Sequence, residues 1–306
     1  MVCARPFFTV AEGNRFKSGG RRGFREPLIR ILTPWPALLA DIGERVLIVA
    51  DLHIGLEYEL AKAGVNIPYQ TERIQGELLA LCREHKPDRL VIAGDVKHGV
   101  PITSFQEKRE LPTLFEVLLR EVPKIDVTRG NHDGNIQDLA TKGVEIHSSK
   151  GIVLGDDFKV AIFHGHAWPK PKALEADCLI AGHNHPTVLL RTPLGFRMTQ
   201  RAWVKGVVEP AKLAKAFLEQ DDVKYEGDPV AAFDDHYKAE MGKPEMILMP
   251  TFNDLLGGLP VNGEAPQSLL GPMLRRNAIN TEDFEVYLLD GSYLGKVGFL
   301  RERNGY

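Results

Sequence analysis

Five short apolar segments, each leading into histidine, aspartate or asparagine, constrain the fold of this chain more than any other feature. They are RVLIVA (45–50), RLVIAG (89–94), KIDVTRG (124–130), FKVAIFHG (158–165) and DCLIAGH (177–183). Their length fits buried strands, whereas TERIQGELLALCREH (71–85) has the apolar spacing of a helix. Alternation of this kind predicts an α/β architecture. Because the carboxyl ends of strands form the ligand crevice of open α/β sheets, we expect the five polar endings to converge.

The remaining segments complete this pattern. FQEKRELPTLFEVLLREV (105–122) is predicted to be helical, with Pro112 as a break or restart. A hairpin is expected from TVLLRT and FRMTQRAWV around PLG, and two late strands from EMILMP (245–250) and FEVYLLD (284–290). Residues 209–245 are mostly charged and are predicted to form a surface excursion. One helix is expected within it, at PAKLAKAFLEQ. Residues 28–306 are therefore expected to form a single domain.

Residues 1–27 differ from the rest, because NRFKSGGRRGFREP is rich in arginine and glycine and has no clean period. A flexible extension is the favoured interpretation. The alternatives are an arm that neutralises nucleic-acid phosphates and a docked strand.

Composition excludes several classes of protein. The chain has 306 residues, 43% of them hydrophobic, and a net charge of -3, which is ordinary for a soluble globular protein. No apolar run reaches the roughly 18 residues of a membrane helix, and the N-terminus has no continuous apolar core of a secretory signal. Cys3, Cys82 and Cys178 are scattered, so we expect reduced thiols in a cytoplasmic protein rather than disulfides or a zinc site.

Seven of the ten histidines follow the predicted strands, together with four aspartate or asparagine residues. The motifs are VADLH with Asp51 and His53, IAGDVKH with Asp95 and His98, TRGNHDG with Asn131, His132 and Asp133, IFHGHA with His164 and His166, and IAGHNHP with His183 and His185. The period of a strand places Asp51 and His53 on one side of the chain. Carboxylate and imidazole together suit a divalent metal ion. The other histidines, His85, His147 and His236, are expected to be ordinary surface or loop residues.

The ordered series DxH, GDxxH, GNHD, HGH and GHxH resembles the calcineurin-like metallophosphoesterase superfamily over residues 44–192. The resemblance implies a four-layer αββα sandwich of two mixed β-sheets flanked by helices. Within the superfamily, GDVKH and MPTFNDLLGGLPVNG resemble a prokaryotic group related to double-strand-break repair nucleases and ligase-associated phosphoesterases.

The resemblance also implies a site with two metal ions bridged by Asp95. The first ion would be held by Asp51, His53, Asp95 and His185, and the second by Asp95, Asn131, His164 and His183. Mn²⁺ is favoured, with Fe, Zn²⁺, Co²⁺ and Ni²⁺ as alternatives. His132 would steady or protonate the leaving oxygen, and Asp133 would orient His132. His98 and His166 are assigned to contact with substrate, with support of the metal ligands as the alternative. For His166, strand alternation offers the other face of the strand as a further alternative.

These assignments predict a metal-dependent phosphohydrolase, most simply a phosphodiesterase in which a hydroxide between the two ions attacks phosphorus in line. A DNA repair nuclease is one alternative, favoured by the arginine-rich N-terminus and opposed by the slightly negative net charge. A catalytically inactive binding scaffold is another, opposed by the presence of every expected ligand type. The expected partner is a phosphoester, with nucleic acid as an alternative, and no membrane; the oligomeric state is left open.

Two residue groups outside the motifs carry weaker expectations. Trp168 is predicted to pack in the core, with stacking on a base as the alternative. Asn253 and Asp254 are expected in a loop at the rim of the site or in a plain turn beside Gly257 and Gly258.

Overall fold

The computed structural model describes residues 28–192, 195–263, 271–275 and 278–303, so the arginine-rich extension lies outside the described residues. The strands are β1 Leu28–Ile31, β2 Leu38–Asp41, β3 Arg45–Val49, β4 Arg89–Ile92, β5 Ile125–Thr128, β6 Val144–His147, β7 Ile152–Leu154, β8 Val160–Phe163, β9 Cys178–Ala181, β10 Pro186–Arg191, β11 Arg197–Val207, β12 Glu245–Leu248, β13 Leu259–Pro260, β14 Glu285–Leu288 and β15 Tyr293–Lys296. The α-helices are α1 Leu56–Lys62, α2 Thr71–His85, α3 Phe105–Leu118, α4 Pro210–Gln220, α5 Pro229–Tyr237, α6 Pro272–Arg275 and α7 Val297–Arg303.

The strands form two mixed sheets. One sheet has the order β1-β2-β3-β4-β5-β6, antiparallel up to β3 and parallel from β3 onward. The other has the order β13-β10-β11-β12-β9-β8-β7, with β14 and β15 added beside β11. In the second sheet, β8, β9 and β12 run parallel, with Cys178 in register with both Val160 and Glu245. Parallel strands in register end at the same edge, which places their following loops side by side.

The side chains of each central strand alternate between two cores, as a strand period of two requires. In β3, Val46 and Ile48 belong to a core shared with the second sheet, whereas Leu47 and Val49 pack with residues of α2 and α3. In β9, Ile180 faces the shared core, and the neighbouring residues pack with α4 and α5. The layers are therefore helices, sheet, sheet and helices. The predicted αββα sandwich of two mixed sheets is confirmed.

The helix predicted from the first periodic segment is confirmed at its expected bounds, Thr71–His85. Its buried residues lie on one stripe and include Ile74, Leu78 and Leu81. This stripe covers the outer face of the first sheet, where the alternate residues of β3 and β4 are buried. Helical periodicity thus predicted both the element and the face that it buries.

Pro112 does not break α3, contrary to the sequence prediction. The helix continues from Phe105 to Leu118 with Pro112 inside it. An internal proline costs about 3 kcal/mol of helix stability. Two features oppose this cost: a capping box between Ser104 and Glu107 at the N-terminus, and a buried stripe that includes Leu114 and Phe115.

The charged region 209–245 is not a simple surface excursion. Its two helices, α4 and α5, bury Leu213, Phe217 and Phe233 against the second sheet and form the outer layer there. The charged residues occupy the opposite faces of these helices. Because the shared core joins both sheets and each sheet carries its own helical layer, we propose that the chain from residue 28 onward is one domain.

Two cysteines in the described ranges, Cys82 and Cys178, are buried free thiols. Burial raises the pKa of both, to about 11 for Cys82. None of the described helices has the length and apolar character needed to cross a bilayer.

Candidate metal centre

The loops that follow β3, β4, β5, β8 and β9 meet at one edge of the two facing sheets. The loops after β3 and β4 are hydrogen-bonded to each other, from Asp51 N–H to Gly94 C=O at 3.1 Å and from His53 N–H to Asp95 C=O at 2.9 Å. The loop after β9 joins them, because His183 N–H donates to Asp51 Oδ2 at 3.0 Å. The five polar motifs of the sequence therefore converge in space, as expected from the strand ends.

The backbone at this edge is held in an uncommon conformation. Asp51, His53, Asp95, His183 and His185 all have positive φ, between 41° and 68°. Left-handed backbone at residues other than glycine is uncommon and costs of order 1–3 kcal/mol each. Five such residues in contact indicate that the tertiary structure enforces their geometry, as it does at functional sites.

Two motif glycines permit the loops to approach one another closely. A Cβ at Gly182 would lie 2.7 Å from Asp51 Oδ2, and a Cβ at Gly130 would overlap Asp95. Any side chain at either position would displace a candidate metal ligand. The glycines of GHxH and GNHD are thus required by the packing of the site rather than by turn geometry alone.

The candidate ligands form two adjacent groups. The ligand atoms of Asp51, His53 and His185 lie within 4.8 Å of one another, and so do those of Asp95, His164 and His183. The groups touch, because His164 Nε2 is 3.0 Å from Asp51 Oδ1 and 3.3 Å from Asp95 Oδ2.

Asp95 also faces the first group, with Oδ2 3.5 Å from His53 Nε2. Asn131 is exposed and lines the same cleft as Asp95 and His53. The structure therefore places every sequence-predicted ligand at one site.

The donor set fits divalent metal ions. The Nε2 atoms of His53 and His185 are buried without a hydrogen-bond partner, although carboxylate oxygens lie 3.5 Å and 3.4 Å away. A buried polar atom left unpaired is costly, and a metal ion at that position would satisfy it.

The protonation states of these ligands also suit a metal ion. Burial lowers the pKa of His53 and of His183 to about 3, so both imidazoles are neutral at physiological pH. Burial raises the pKa of Asp51, but His185 and His164 outweigh this effect and keep it well below its usual range. Neutral imidazoles and ionised carboxylates are the forms that bind a metal ion.

Metal binding is expected to release a proton from His164. Burial lowers the pKa of this imidazole, but Asp51 and Asp95 outweigh burial and raise it to about 10. His164 is therefore protonated at neutral pH, and a metal ion at Nε2 must displace that proton. Between about pH 6 and about pH 8, the apparent association constant for Mn²⁺ should rise at least about tenfold per pH unit.

Calorimetric titration with Mn²⁺ in buffers of different protonation enthalpy measures both quantities. An affinity that does not change with pH, with no proton released, would contradict the assigned role of His164.

His98 and His166 each contact a candidate ligand rather than standing free in the cleft. Nδ1 of His98 is 3.0 Å from Nδ1 of His53, and Nδ1 of His166 is 2.8 Å from Nδ1 of His164. Metal-binding histidines commonly bond a second group through the ring nitrogen that does not bind the metal. The sequence assigns both residues to substrate contact, whereas this geometry supports the alternative, orientation of the ligands His53 and His164.

His132 lies at the edge of the first group, where its backbone N–H donates to Asp95 Oδ1 at 2.8 Å. Nδ1 of its ring is 2.6 Å from the carbonyl oxygen of His98, so Nδ1 carries a proton and donates it to that oxygen. The ring stacks on His98 at 5.2 Å and lines the cleft beside Asn131. The contact at Nδ1 leaves Nε2 for a group bound in the cleft.

Asp133 does not contact His132 as the sequence prediction expects. Its carboxylate is fully buried and accepts from the backbone N–H groups of Gly130 at 2.9 Å, Val96 at 2.9 Å and Lys97 at 3.2 Å. Asp133 therefore joins the loop after β5 to the loop after β4. The tautomer of His132 is set instead by the carbonyl group of His98.

The sequence did not predict that Thr251 and Asn253 support the loop that carries Asp51 and His53. Thr251 Oγ1 donates to the carbonyl oxygen of Asp51 at 2.9 Å, and Asn253 Nδ2 donates to that of Leu52 at 3.0 Å. Both residues are fully buried. The available signal was the position of TFND directly after β12, which is where the other site motifs also follow strands.

Asn253→Ala is expected to weaken metal binding about 10–100-fold, because it frees the loop that carries Asp51 and His53. The matched control is Asn262→Ala, which also removes a buried amide. The Asn262 side chain accepts from Leu189 N–H and donates to Leu189 C=O, both at 2.9 Å. Both variants should lose about 1–3 kcal/mol of metal-free stability. Only the Asn253 variant should lose Mn²⁺ affinity in calorimetry. Equal Mn²⁺ affinities of the two variants would contradict the role of Asn253 in supporting this loop.

A further group of possible ligands, Asp126, Glu145 and His147, lies on β5 and β6. Arg89 pairs with Asp126 at 2.6 Å, and Lys124 with Glu145 at 3.3 Å. His147 Nε2 is 2.6 Å from Asp126 Oδ1. Cations already satisfy these carboxylates, so the group is an ion-pair network.

The cleft above the two groups has a volume of about 340 Å³. Its lining includes His53, Asp95, Asn131, His132, His183 and His185, with Gly257, Gly258 and Leu259 on one wall. A phosphate group placed there would contact both ligand groups and His132.

Comparisons with known proteins were made on both sequence and structure. Residues 44–187 match the family described as calcineurin-like phosphoesterase. No curated protein gave a significant sequence match.

Several solved structures are similar to this chain at low sequence identity. The nuclease MPE of Pseudomonas putida is 19% identical, with 88% of this chain and 96% of that chain covered and a TM-score of 0.49. Yfce, a phosphoesterase from E. coli, is 19% identical, with 48% and 73% covered and a TM-score of 0.32. A predicted phosphoesterase from Streptococcus pneumoniae is 12% identical, with 82% and 92% covered and a TM-score of 0.29.

The family match spans all five strand-end motifs and their glycines, and it ends just after the GHxH motif. Each of these motifs contributes a side chain to the site between the two facing sheets. Residues 44–187 match the calcineurin-like phosphoesterase family, and the chain is a hydrolase that acts on phosphoric esters.

Proposed function

We propose that the protein is a phosphodiesterase with a dinuclear, Mn²⁺-preferring metal centre. The observation that carries this proposal is the position of Asp95, whose Oδ2 lies near both His53 and His164, one from each ligand group. A carboxylate that lies between two groups of histidine ligands is suited to bridge two divalent ions. Asp51, His53, Asp95 and His185 would hold one ion, and Asp95, Asn131, His164 and His183 the other.

Bound ions of this kind would neutralise the phosphate oxygens and acidify the water that attacks phosphorus in line. The protein's own residues do the rest. His98 and His166 hold the rings of His53 and His164 in place through their outer nitrogens. Buried loops joined by Asp133 exclude water from beneath the site. His132, fixed through Nδ1–H, presents Nε2 to the leaving oxygen, and as an imidazolium, with a proton on both nitrogens, it donates the Nε2 proton or a hydrogen bond to that oxygen.

A monoesterase is the less favoured activity. The cleft continues past the metal groups on two sides, toward Gly257 and toward His166, which leaves room for substituents on both phosphate oxygens of a diester. The buried free thiols support a reducing, cytoplasmic location for this activity.

The test compares hydrolysis of bis(p-nitrophenyl) phosphate with that of p-nitrophenyl phosphate by metal-depleted protein supplied with Mn²⁺, Zn²⁺, Co²⁺, Ni²⁺, Fe²⁺ or Mg²⁺. We expect faster diester cleavage, highest with Mn²⁺. Faster cleavage of the monoester would contradict the proposed phosphodiesterase activity and indicate a phosphomonoesterase. Folded protein that binds metal but cleaves neither compound would favour a binding scaffold.

A further inference from the structure

A second cleft adjoins the metal centre and shares His183 with it. Its volume is about 490 Å³, and its lining is His166, Ala167, Trp168, His183, Gln220, Gly271, Pro272 and Arg275. Because His183 belongs to the second ligand group and His166 contacts His164, this cleft opens directly beside that group. A substituent on a phosphate held at the metal centre would extend into it.

The charge of this cleft favours an anion. Among its described lining residues there is one arginine and no carboxylate. Arg275 is exposed, and within the described ranges no acidic side chain forms an ion pair with it. A guanidinium group without a carboxylate partner is available to bind phosphate, for which its planar set of N–H donors is suited.

The backbone that carries Arg275 is anchored to the metal centre. Gly271 packs so closely against the carbonyl group of Gly165, in the HGH motif, that a Cβ there would overlap it. Met273 is 3% exposed and packs in the core of the second sheet. The residue before α6 and the buried face of α6 are therefore both packed, and Arg275 is the last residue of this helix.

Another part of the lining of this cleft is aromatic and packed against the core. Trp168 is half-buried, and its ring lies 4.4 Å from that of Phe217 in an edge-to-face contact. Phe217 packs in turn on Phe233 at 5.7 Å. The sequence predicts core packing for Trp168, with base stacking as the alternative, and the structure is compatible with both, because the packed ring also lines the cleft. A nucleobase can lie against such a wall without sequence preference.

We propose that this cleft, the Arg275 subsite, binds the nucleotide next to the scissile phosphate, with Arg275 on the neighbouring phosphate and Trp168 beside the base. The substrate class that fits is a single strand of nucleic acid. This proposal rests on the proposed phosphodiesterase and deepens it, because a small diester has no second phosphate for Arg275.

The cleft on the other side of the metal centre is less suited to phosphate. It shares Gly257 and Gly258 with the metal cleft and has a volume of about 580 Å³. Its lining includes Asp254 and Asp290 as well as Arg201, whose guanidinium donates to the carbonyl groups of Thr251 and Phe252. Arg73 pairs with Asp254 at 2.6 Å, and the Arg201 guanidinium is engaged by backbone carbonyl groups, which leaves the carboxylate of Asp290 to oppose a second anion. This asymmetry assigns the neighbouring phosphate to the Arg275 side.

The test uses substrates that differ by one phosphate. They are thymidine 5′-(p-nitrophenyl phosphate) with and without a 3′-phosphate, and the reverse-polarity pair, thymidine 3′-(p-nitrophenyl phosphate) with and without a 5′-phosphate. In one polarity, the added phosphate should raise kcat/KM about 10-fold or more. Arg275→Gln should abolish this ratio and lower the salt dependence of kcat/KM by about one unit of slope. Arg120→Gln, at an exposed arginine outside the clefts, should leave the ratio unchanged.

A ratio near one in both polarities, or a ratio that survives in Arg275→Gln, would overturn the subsite while cleavage of bis(p-nitrophenyl) phosphate still supported the phosphodiesterase. If no ester is cleaved, the proposed phosphodiesterase activity is wrong. A binding measurement then tests the Arg275 subsite separately. Calorimetry with thymidine 3′,5′-bisphosphate should show about 10-fold weaker binding to Arg275→Gln than to Arg120→Gln. Equal binding would overturn the subsite.

Discussion

Asp95→Asn should reduce phosphodiester turnover by at least about 10³-fold, because the loss of several kcal/mol of electrostatic stabilisation corresponds to that factor. Asparagine keeps the shape of the side chain and can still accept from His132 N–H, at 2.8 Å in the native protein. It removes the negative charge that lies between the two ligand groups. Metal content, measured by mass spectrometry of the purified protein, should fall below that of the wild type.

The matched control is Asp126→Asn, the same isosteric change at another buried carboxylate of the first sheet. This variant loses the charge that pairs with Arg89 and should lose stability, but its metal content and turnover per folded molecule should stay near wild type. Full metal content in the Asp95 variant would refute a bridging role, whatever happens to activity.

His132→Ala should reduce turnover about 10²–10⁴-fold without lowering metal content. The residue contacts Asp95 only through its backbone N–H, which alanine retains. Its ring is fixed by the carbonyl group of His98 and lies at the wall of the metal cleft. The loss should therefore come from the leaving group and not from the metal ligands.

The leaving-group dependence separates this role from a structural one. A dinucleotide, which releases a basic alkoxide, should lose at least about 10-fold more activity in His132→Ala than bis(p-nitrophenyl) phosphate, which releases a stable phenolate. His236→Ala, at an exposed histidine of α5, is the control and should change neither rate. Equal losses for both leaving groups would exclude proton donation by His132, and loss of metal would make it part of the metal centre.

Local pattern was enough to predict the elements that build the site. Buried strands of four or five residues leave a period-two or continuous apolar run, and α2 leaves a stripe at Ile74, Leu78 and Leu81. These signals arise from residues that are close in sequence, so they can be recognised without knowing the tertiary structure. Pro112 shows the limit of this reasoning, because packing and a capping box decide whether a helix tolerates proline, and both depend on the surroundings.

The partners of the site residues could not be read from the chain. Asp133 follows His132 directly, yet its carboxylate accepts from Val96 and Lys97, which lie 37 and 36 residues away, because a buried carboxylate is stabilised by whichever N–H donors lie beside it in space. Asn253 reaches Leu52 across 201 residues because β12 ends beside the first sheet. Spacing along the sequence carries no information about such contacts.

The sequence by itself determined which residue types stand at the ends of strands, and in which order, and that order identifies the family and the candidate ligands. Only the tertiary structure decided how they are grouped, with Asp51, His53 and His185 in one set and Asp95, His164 and His183 in the other. It also placed Arg275 beside His183. The physical reason is that strand period and apolar runs are local, whereas two facing sheets, packed through a shared core, set which loops meet at their common edge.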